Sequence, residues 1–221
     1  MLFLANEHAV ADQATWYFSG VLRYYYDVDK LKITTVPPPE FAALNLLPGA
    51  SMSARVTYDL ATLDQNPSVS RGQYAAIVSA EMAVGELDLH YHGGFNNIET
   101  RTGANPSDRG TSIGFGLGGS SDILIILGGL ELTGGPLESF PTDALLSGPP
   151  PLSSVDPFDP SNPHLGTRAV LDAATASANY SIVFQLTELY AVPEPNLSVL
   201  LPIALSSLMS RRRRPTSHSR V

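Results

Sequence analysis

Met52-Ser53-Ala54-Arg55-Val56-Thr57-Tyr58 places an apolar side chain at every second position. A period of 2 puts alternate side chains on opposite faces of an extended chain, so it marks a half-buried β-strand. Ile182, Phe184 and Leu186 alternate with Val183, Gln185 and Thr187 in a second such segment. The aromatic, β-prone stretch Tyr17–Tyr26 runs into a turn signal at Asp27–Asp29. Ile123–Leu127 is a short continuous apolar run between Ser120-Ser121-Asp122 and Gly128-Gly129, the pattern of a strand buried on both faces. Glycines at 110, 114, 116, 118 and 119 predict bulges or close backbone approach around one more strand. Helical signals are weak. Glu40–Leu47 is confined between Pro37-Pro38-Pro39 and Pro48-Gly49 and has room for two turns at most. Ala169–Ala178 is alanine-rich but has no apolar stripe. Short strands between turn residues, without alternating long helices, predict an all-β fold: a sandwich or jelly roll over about residues 14–190.

Residues 136–163 interrupt this pattern with eight of the 18 prolines. Proline cannot donate a ladder hydrogen bond, so the stretch is expected to be a long surface excursion between strands. The total of 221 residues suits one domain with a tail, and the 43% apolar content is enough for a core. No cysteine occurs. That excludes a disulfide framework, a thiolate nucleophile, an iron–sulfur cluster and cysteine-ligated zinc. The net charge of -8 argues against nucleic-acid binding, which needs a basic face. The charge is uneven. Residues 1–189 carry 20 acids against 8 basic residues, whereas Arg211, Arg212, Arg213, Arg214 and Arg220 fall in the last 11 positions.

Both ends of the chain read as processing segments. Ala9-Val10-Ala11 fits the small-x-small pattern before a signal-peptide cleavage site. No Lys or Arg precedes Arg23 and the apolar run is only Met1–Leu4, so residues 1–11 read either as the remnant of a truncated or misassigned signal peptide or as a chance Ala-Val-Ala in an alanine-rich chain, and the first reading is the expectation. At the other end, Val192-Pro193-Glu194-Pro195 is held extended by its two prolines. Leu197–Ser210 follows without a charge. As a helix it would span roughly 21 Å, short of the ~30 Å hydrocarbon core of a bilayer. Arg211–Arg214 come next and would hold that end on the cytoplasmic side.

These three features in this order resemble the PEP-CTERM sorting signal of exported bacterial proteins. The resemblance covers 191–214, with 215–221 as a tail, and departs from the pattern at Pro202 and in the residues after the arginines. It implies recognition by an exosortase-type membrane protease acting near Val192, Pro193, Glu194 and Pro195, with the hydrophobic helix as a transient membrane tether; the competing readings of the segment are a permanent single-span anchor and a buried C-terminal element. It also implies export to the surface or extracellular matrix of a Gram-negative bacterium that makes extracellular polysaccharide, a further expected partner. More loosely, Phe18-Ser19-Gly20-Val21, Met52–Asp59 with Gly72-Gln73-Tyr74, and the proline-rich loop resemble the β-rich domains of such proteins.

Inside the body, Glu86-Leu87-Asp88-Leu89-His90-Tyr91-His92 is the strongest chemical constellation. On a strand, Glu86, Asp88, His90 and His92 share one face and offer two carboxylates and two imidazoles to a divalent metal. Their spacing of about 6.6 Å per step would need ligands from other strands to close the shell. The competing reading is a solvated polar face over a Leu/Leu/Tyr core face. Asp59, Asp64 and Asn66, or Asp156, Asp159 and Asn162, offer oxygens to calcium, without EF-hand spacing. Gly114, Gly116 and Gly119 formally make GxGxxG, but a β-prone run follows where a dinucleotide site needs a helix. Trp16 with Tyr24, Tyr25 and Tyr26 is a candidate sugar-stacking set, although Tyr24 and Tyr26 face one way and Tyr25 the other. No cofactor is expected, and calcium stays open. The expected role is structural or binding, without enzymatic activity. The alternatives are an envelope glycan hydrolase, whose carboxylates the fold would have to pair, and a calcium- or carbohydrate-binding module.

Overall fold

A computed structural model of the protein describes residues 13–66, 68–118, 124–162 and 166–192. Its extended segments are β1 (Gln13–Asp27), β2 (Lys32–Thr34), β3 (Ser51–Asp59), β4 (Arg71–Tyr74) and β5 (Ile77–Val84), then β6 (Leu87–Thr102), β7 (Arg109–Gly118), β8 (Leu124–Thr133), β9 (Arg168–Ala174) and β10 (Asn179–Ala191). The alanine-rich stretch that lacked an apolar stripe supplies β9 and the turn into β10. The segment between the prolines forms one helical turn, α1 (Pro39–Ala42).

The chain is all-β, 55% strand and 7% helical. Eight strands form one antiparallel ring in the order β1, β3, β5, β6, β7, β8, β9, β10, and β10 pairs back onto β1. β2 adds to β1 and β4 adds to β6. The expected sandwich or jelly roll gives way here to a closed up-and-down barrel. The alternation in β3, buried at Met52, Ala54, Val56 and Tyr58, serves one covered face in either architecture. What separates them is whether the first and last strands meet, and closure removes both sheet edges.

Side chains fill the interior. Trp16, Phe18 and Leu22 of β1 point inward, as do Val56, Phe115, Leu117, Leu171 and Phe184 from the other strands, and none is more than 1% exposed. Loops close both ends. At one end Phe41 of α1 stacks on Tyr25, with centroids 5.7 Å apart, and the Tyr25 hydroxyl donates to the Leu46 carbonyl. Burial pushes the Tyr25 hydroxyl up to about 12. At the opposite end Phe140 is fully buried, and the Tyr58 hydroxyl donates to the Leu146 carbonyl. Tyr74 donates to the Asp143 carbonyl at 2.9 Å. The proline-rich stretch is therefore more than a surface excursion. A barrel end leaves its last ring of core side chains open, and the apolar residues among the prolines cover it.

The glycines of β7 are explained by close approach. Four residues of β6, His92–Phe95, stand opposite one residue of β7, Gly116. This bulge folds over the outer face of β7. A Cβ on Gly116 would lie 2.4 Å from the Gly93 carbonyl oxygen, and one on Gly114 2.6 Å from the Phe95 ring. With β8 following as a strand, the GxGxxG match has a steric role and no helix to receive a pyrophosphate.

The Val192 amide donates to the Thr15 carbonyl at 2.8 Å, extending the seam past β10. The expected signal-peptide remnant at 1–11, the motif residues Pro193, Glu194 and Pro195, the segment expected as a hydrophobic helix and Arg211–Arg214 lie outside the described residues. Among the described residues no helix is long and apolar enough to cross a membrane.

Candidate functional site

Strand register arranges the outward side chains of β6–β10 and β1 in rows across the wall. The central row runs Asn97, Gly114, Gly129, Val170, Val183, Tyr24. Two adjacent glycines leave a trough in its middle. On one side lies the row Glu99, Ser112, Glu131, Arg168. On the other lies Leu127, Asp172, Ser181, Tyr26. The Phe95 ring, carried by the β6 bulge, overlies Gly114. The resulting groove has a volume of about 290 Å³.

Its arginine is almost wholly covered, whereas the acid it pairs with is partly exposed. The Arg168 side chain is 6% exposed and its Nη2 pairs with the Glu131 carboxylate. Nη1 reaches the Gly166 carbonyl at 3.5 Å, and Nε has no hydrogen-bond partner in the protein. Asp172 accepts a 2.6 Å hydrogen bond from the Ser181 hydroxyl. Burial raises its pKa from the ordinary aspartate value, and the Ser181 bond opposes that shift. The Tyr24 hydroxyl is also pushed up by burial, with Arg168 pulling down and Asp159 pushing up.

The raised value has a consequence for stability. The folded protein holds the Asp172 proton more tightly than the unfolded chain does. Stability from this group therefore falls as pH rises from the ordinary carboxylate value through the raised one, and the ionised form is a cost at neutral pH. Asp172→Asn keeps an acceptor for Ser181 and removes that cost. It is expected to raise the melting temperature by a few degrees at pH 7 and by progressively less as the pH is lowered to 3. Equal effects at both pH values would show that Asp172 is not strained when ionised.

A second cavity, of about 720 Å³, adjoins the groove and shares Glu131 and Arg168 with it. It is lined by the loop residues Asp156–Pro160, by Arg101 and Thr133 of the barrel strands and by Ser107 of the connection between β6 and β7. Phe158 packs against Tyr24, with ring centroids 5.9 Å apart.

Glu131 and Asp172, the two acids of the groove, are not a close pair. Glu131 pairs with Arg168 and Asp172 with Leu127, so the two acids sit four residues apart along adjacent strands. At ~3.3 Å per residue that is roughly 13 Å, beyond the ~5–9.5 Å between glycosidase carboxyl groups.

The four residues of the expected metal face are dispersed. Glu86 lies in the turn before β6 and accepts from Asn45 Nδ2 at 2.6 Å. Asp88 and His90 face solvent with Oδ2 and Nε2 3.7 Å apart. His92 turns onto β7, its Nε2 3.0 Å from the Leu117 carbonyl. Among the described residues no three His, Asp or Glu side chains form a metal-ligand group. In the first calcium candidate, Asp59, Asp64 and Asn66 each accept a backbone amide two residues on, at 2.8, 2.8 and 3.0 Å. In the second, Asp159 accepts from the Ser161 amide and hydroxyl, while Asp156 borders the larger cavity. Of the aromatic set, Trp16 and Tyr25 are fully buried, whereas Tyr26 borders the groove.

Sequence reasoning passed over Arg168, Asp172, Glu131 and Phe95. The signal present was Arg168 and Asp172 interrupting an otherwise small, apolar stretch. An isolated charge in a buried strand needs a partner, but nothing local shows that the partner is Glu131. Comparison with protein-family models, with curated protein sequences and with solved structures gives no match for this chain.

Proposed function

We propose that this chain is an exported surface or matrix-associated protein that is sorted through its C-terminal segment and has a structural or binding role without chemistry of its own. The observation that carries this reading is the ordered triad Val192-Pro193-Glu194-Pro195, the uncharged run Leu197–Ser210 and Arg211–Arg214, with its resemblance to a PEP-CTERM signal. An exosortase-type protease is the partner that such a triad implies. The position of the triad is compatible with removal: the last described seam bond is made by the Val192 amide, so cleavage beyond it breaks no described hydrogen bond. Acidic groups dominate what would remain.

Intact-mass analysis of the protein from its native host tests this. The expected product lacks residues near 193–221 and is recovered from the extracellular or surface fraction. Deleting Arg211–Arg214 is expected to leave barrel stability within about 0.5 kcal/mol, as for changes remote from the core, while the protein disappears from that fraction. A full-length cytoplasmic product would overturn the proposal.

A further inference from the structure

Val192, the last described residue, lines a hollow of about 440 Å³ on the outer wall of the barrel, away from the groove over Gly114 and Gly129. Strand register explains what else borders it. Tyr190, Tyr17, Arg55, Glu81 and His90 form one outward row across β10, β1, β3, β5 and β6. The next row carries the small residues Ser53 and Ala83, so the wall is low beside the taller side chains. Among the described residues lining the hollow, Arg55 is the only cation.

Two features of the row are open to solvent. Tyr17 and Tyr190 stand side by side with ring centroids 4.9 Å apart, and Tyr190 is 48% exposed. Next to them Arg55 is exposed and makes no hydrogen bond or ion pair with any described residue. Its guanidinium does not pair even with Glu81, which lies directly opposite in register. Paired aromatic rings beside an open guanidinium suit an acidic proline-rich segment. Proline rings pack on aromatic faces, and a carboxylate takes the arginine fork.

Such a segment is attached at this hollow. Pro193-Glu194-Pro195 follows Val192 directly, and Glu194 is the only acid beyond it. Val192 bonds to Thr15, so it stands two strands over and two residues along from Arg55. That places their Cα atoms roughly 12 Å apart. Two residues of extended chain cover ~7 Å, and the long side chains of Glu194 and Arg55 reach across the rest. The chain arrives from the β1 side, whereas Glu81 and Asp88 lie beyond Arg55 on β5 and β6. Glu194 therefore meets the cation before the acids. The two prolines restrict the backbone in advance, and covalent attachment keeps the effective concentration high, so a modest set of contacts suffices.

We infer that Tyr17, Tyr190 and Arg55 form a seat in cis for Pro193-Glu194-Pro195, with the Glu194 carboxylate on Arg55 and proline against the tyrosine rings. The seat needs no protease. Its consequence rests on the sorting reading above: the folded barrel withholds the motif from the enzyme that reads it, and weakening the seat speeds processing.

A spin label on Asn196→Cys in the purified full chain tests the seat, since the chain has no cysteine of its own. The spectrum is expected to hold an immobilised component at low salt that shrinks as salt rises. Arg55→Glu should shift the docked-to-free ratio about tenfold or more toward free, the loss expected for a charge-assisted contact. Tyr190→Ala should shift it severalfold. Arg55→Glu combined with Glu194→Arg should restore it. Lys32→Glu, at the opposite end of β1, should leave it unchanged. The inference fails if Arg55→Glu leaves the label as immobile as before, or if the charge swap restores nothing. It also fails if immobilisation grows with protein concentration, which would seat the motif on a second copy. In the native host, Arg55→Glu should speed loss of the C-terminal segment severalfold. A label that responds in a chain that is never processed overturns the sorting reading and leaves the seat standing. Processing without any label response overturns the seat alone.

Discussion

Trp16→Ala is expected to be the most destabilising single change in the barrel. Trp16 is 0% exposed and meets Tyr58 edge to face, with centroids 5.8 Å apart. It lies near the barrel end that the Phe140 loop closes, where its β3 neighbour is Val56. Truncation removes the transfer energy of the indole and leaves a void that rigid strands cannot collapse around, a loss of about 3–5 kcal/mol. Against a total stability of about 5–15 kcal/mol that is a large share. The melting temperature should fall by roughly 6–20 °C for a chain of this size. The measurement must use far-UV circular dichroism, because Trp16 is the only tryptophan. Trp16→Phe is the informative partner. It keeps most of the apolar volume and deletes an indole N–H that has no partner, so it should cost well under half as much. Equal losses for the two variants would show that the indole N–H, and not the volume, holds this region together.

Gly20→Ala should open the seam where the ring closes. Gly20 sits at a register shift between β1 and β10. An added Cβ would lie 2.6 Å from the Gln185 carbonyl oxygen and 3.2 Å from its carbon. Both atoms are backbone, so no rotamer change relieves the clash and the two strands must part. The expected cost is about 1–3 kcal/mol, the range for overpacking, and a larger side chain at this position should cost more. Hydrogen exchange gives the sharper signature. Amides of β1 and β10 around Gly20 and Gln185 should lose protection before those of β6 and β7, on the far side of the ring. Ser19→Ala, one residue away and on the outer face, should stay within about 0.5 kcal/mol. Uniform loss of protection across the barrel would count against a local seam effect.

These two residues mark how far local pattern reaches. Trp16 immediately precedes the β-prone aromatic stretch Tyr17–Tyr26, which reads as a strand from neighbouring residues alone. The same holds for Val56 and Tyr58 in β3 and for Phe184 in β10, because side-chain alternation is a property of the strand itself. Gly20 carries no such legible message. Its need to be glycine comes from Gln185, 165 positions away, and only pairing of the first long strand with the last puts them in contact. The stripe Gly114, Gly116, Gly118 is legible as close approach, yet of the chain that approaches it, His92–Phe95, only His92 draws notice in the sequence, as the last residue of a regular face with Glu86, Asp88 and His90. A regular period cannot foresee a bulge, which adds residues to one strand without changing the composition of either. Once the bulge forms, His92 leaves the line of Glu86, Asp88 and His90.

The groove shows the same limit. Arg168, Glu131, Asp172 and Phe95 come from two strands and one bulge, and although Arg168 and Asp172 interrupt a small, apolar stretch, nothing in their own neighbourhood names the residues they meet. What the amino-acid order determined by itself was the all-β class, the inward or outward parity of most strand residues, the absence of cysteine chemistry, and the triad that follows Val192. These depend on residues a few positions apart, whose relation backbone geometry settles directly. Ring closure, the loops that plug both barrel ends and the pairing of Arg168 with Glu131 were decided only in the tertiary structure. Each depends on which strand lies beside which and in what register, and that choice is made by the burial energy of the whole sheet.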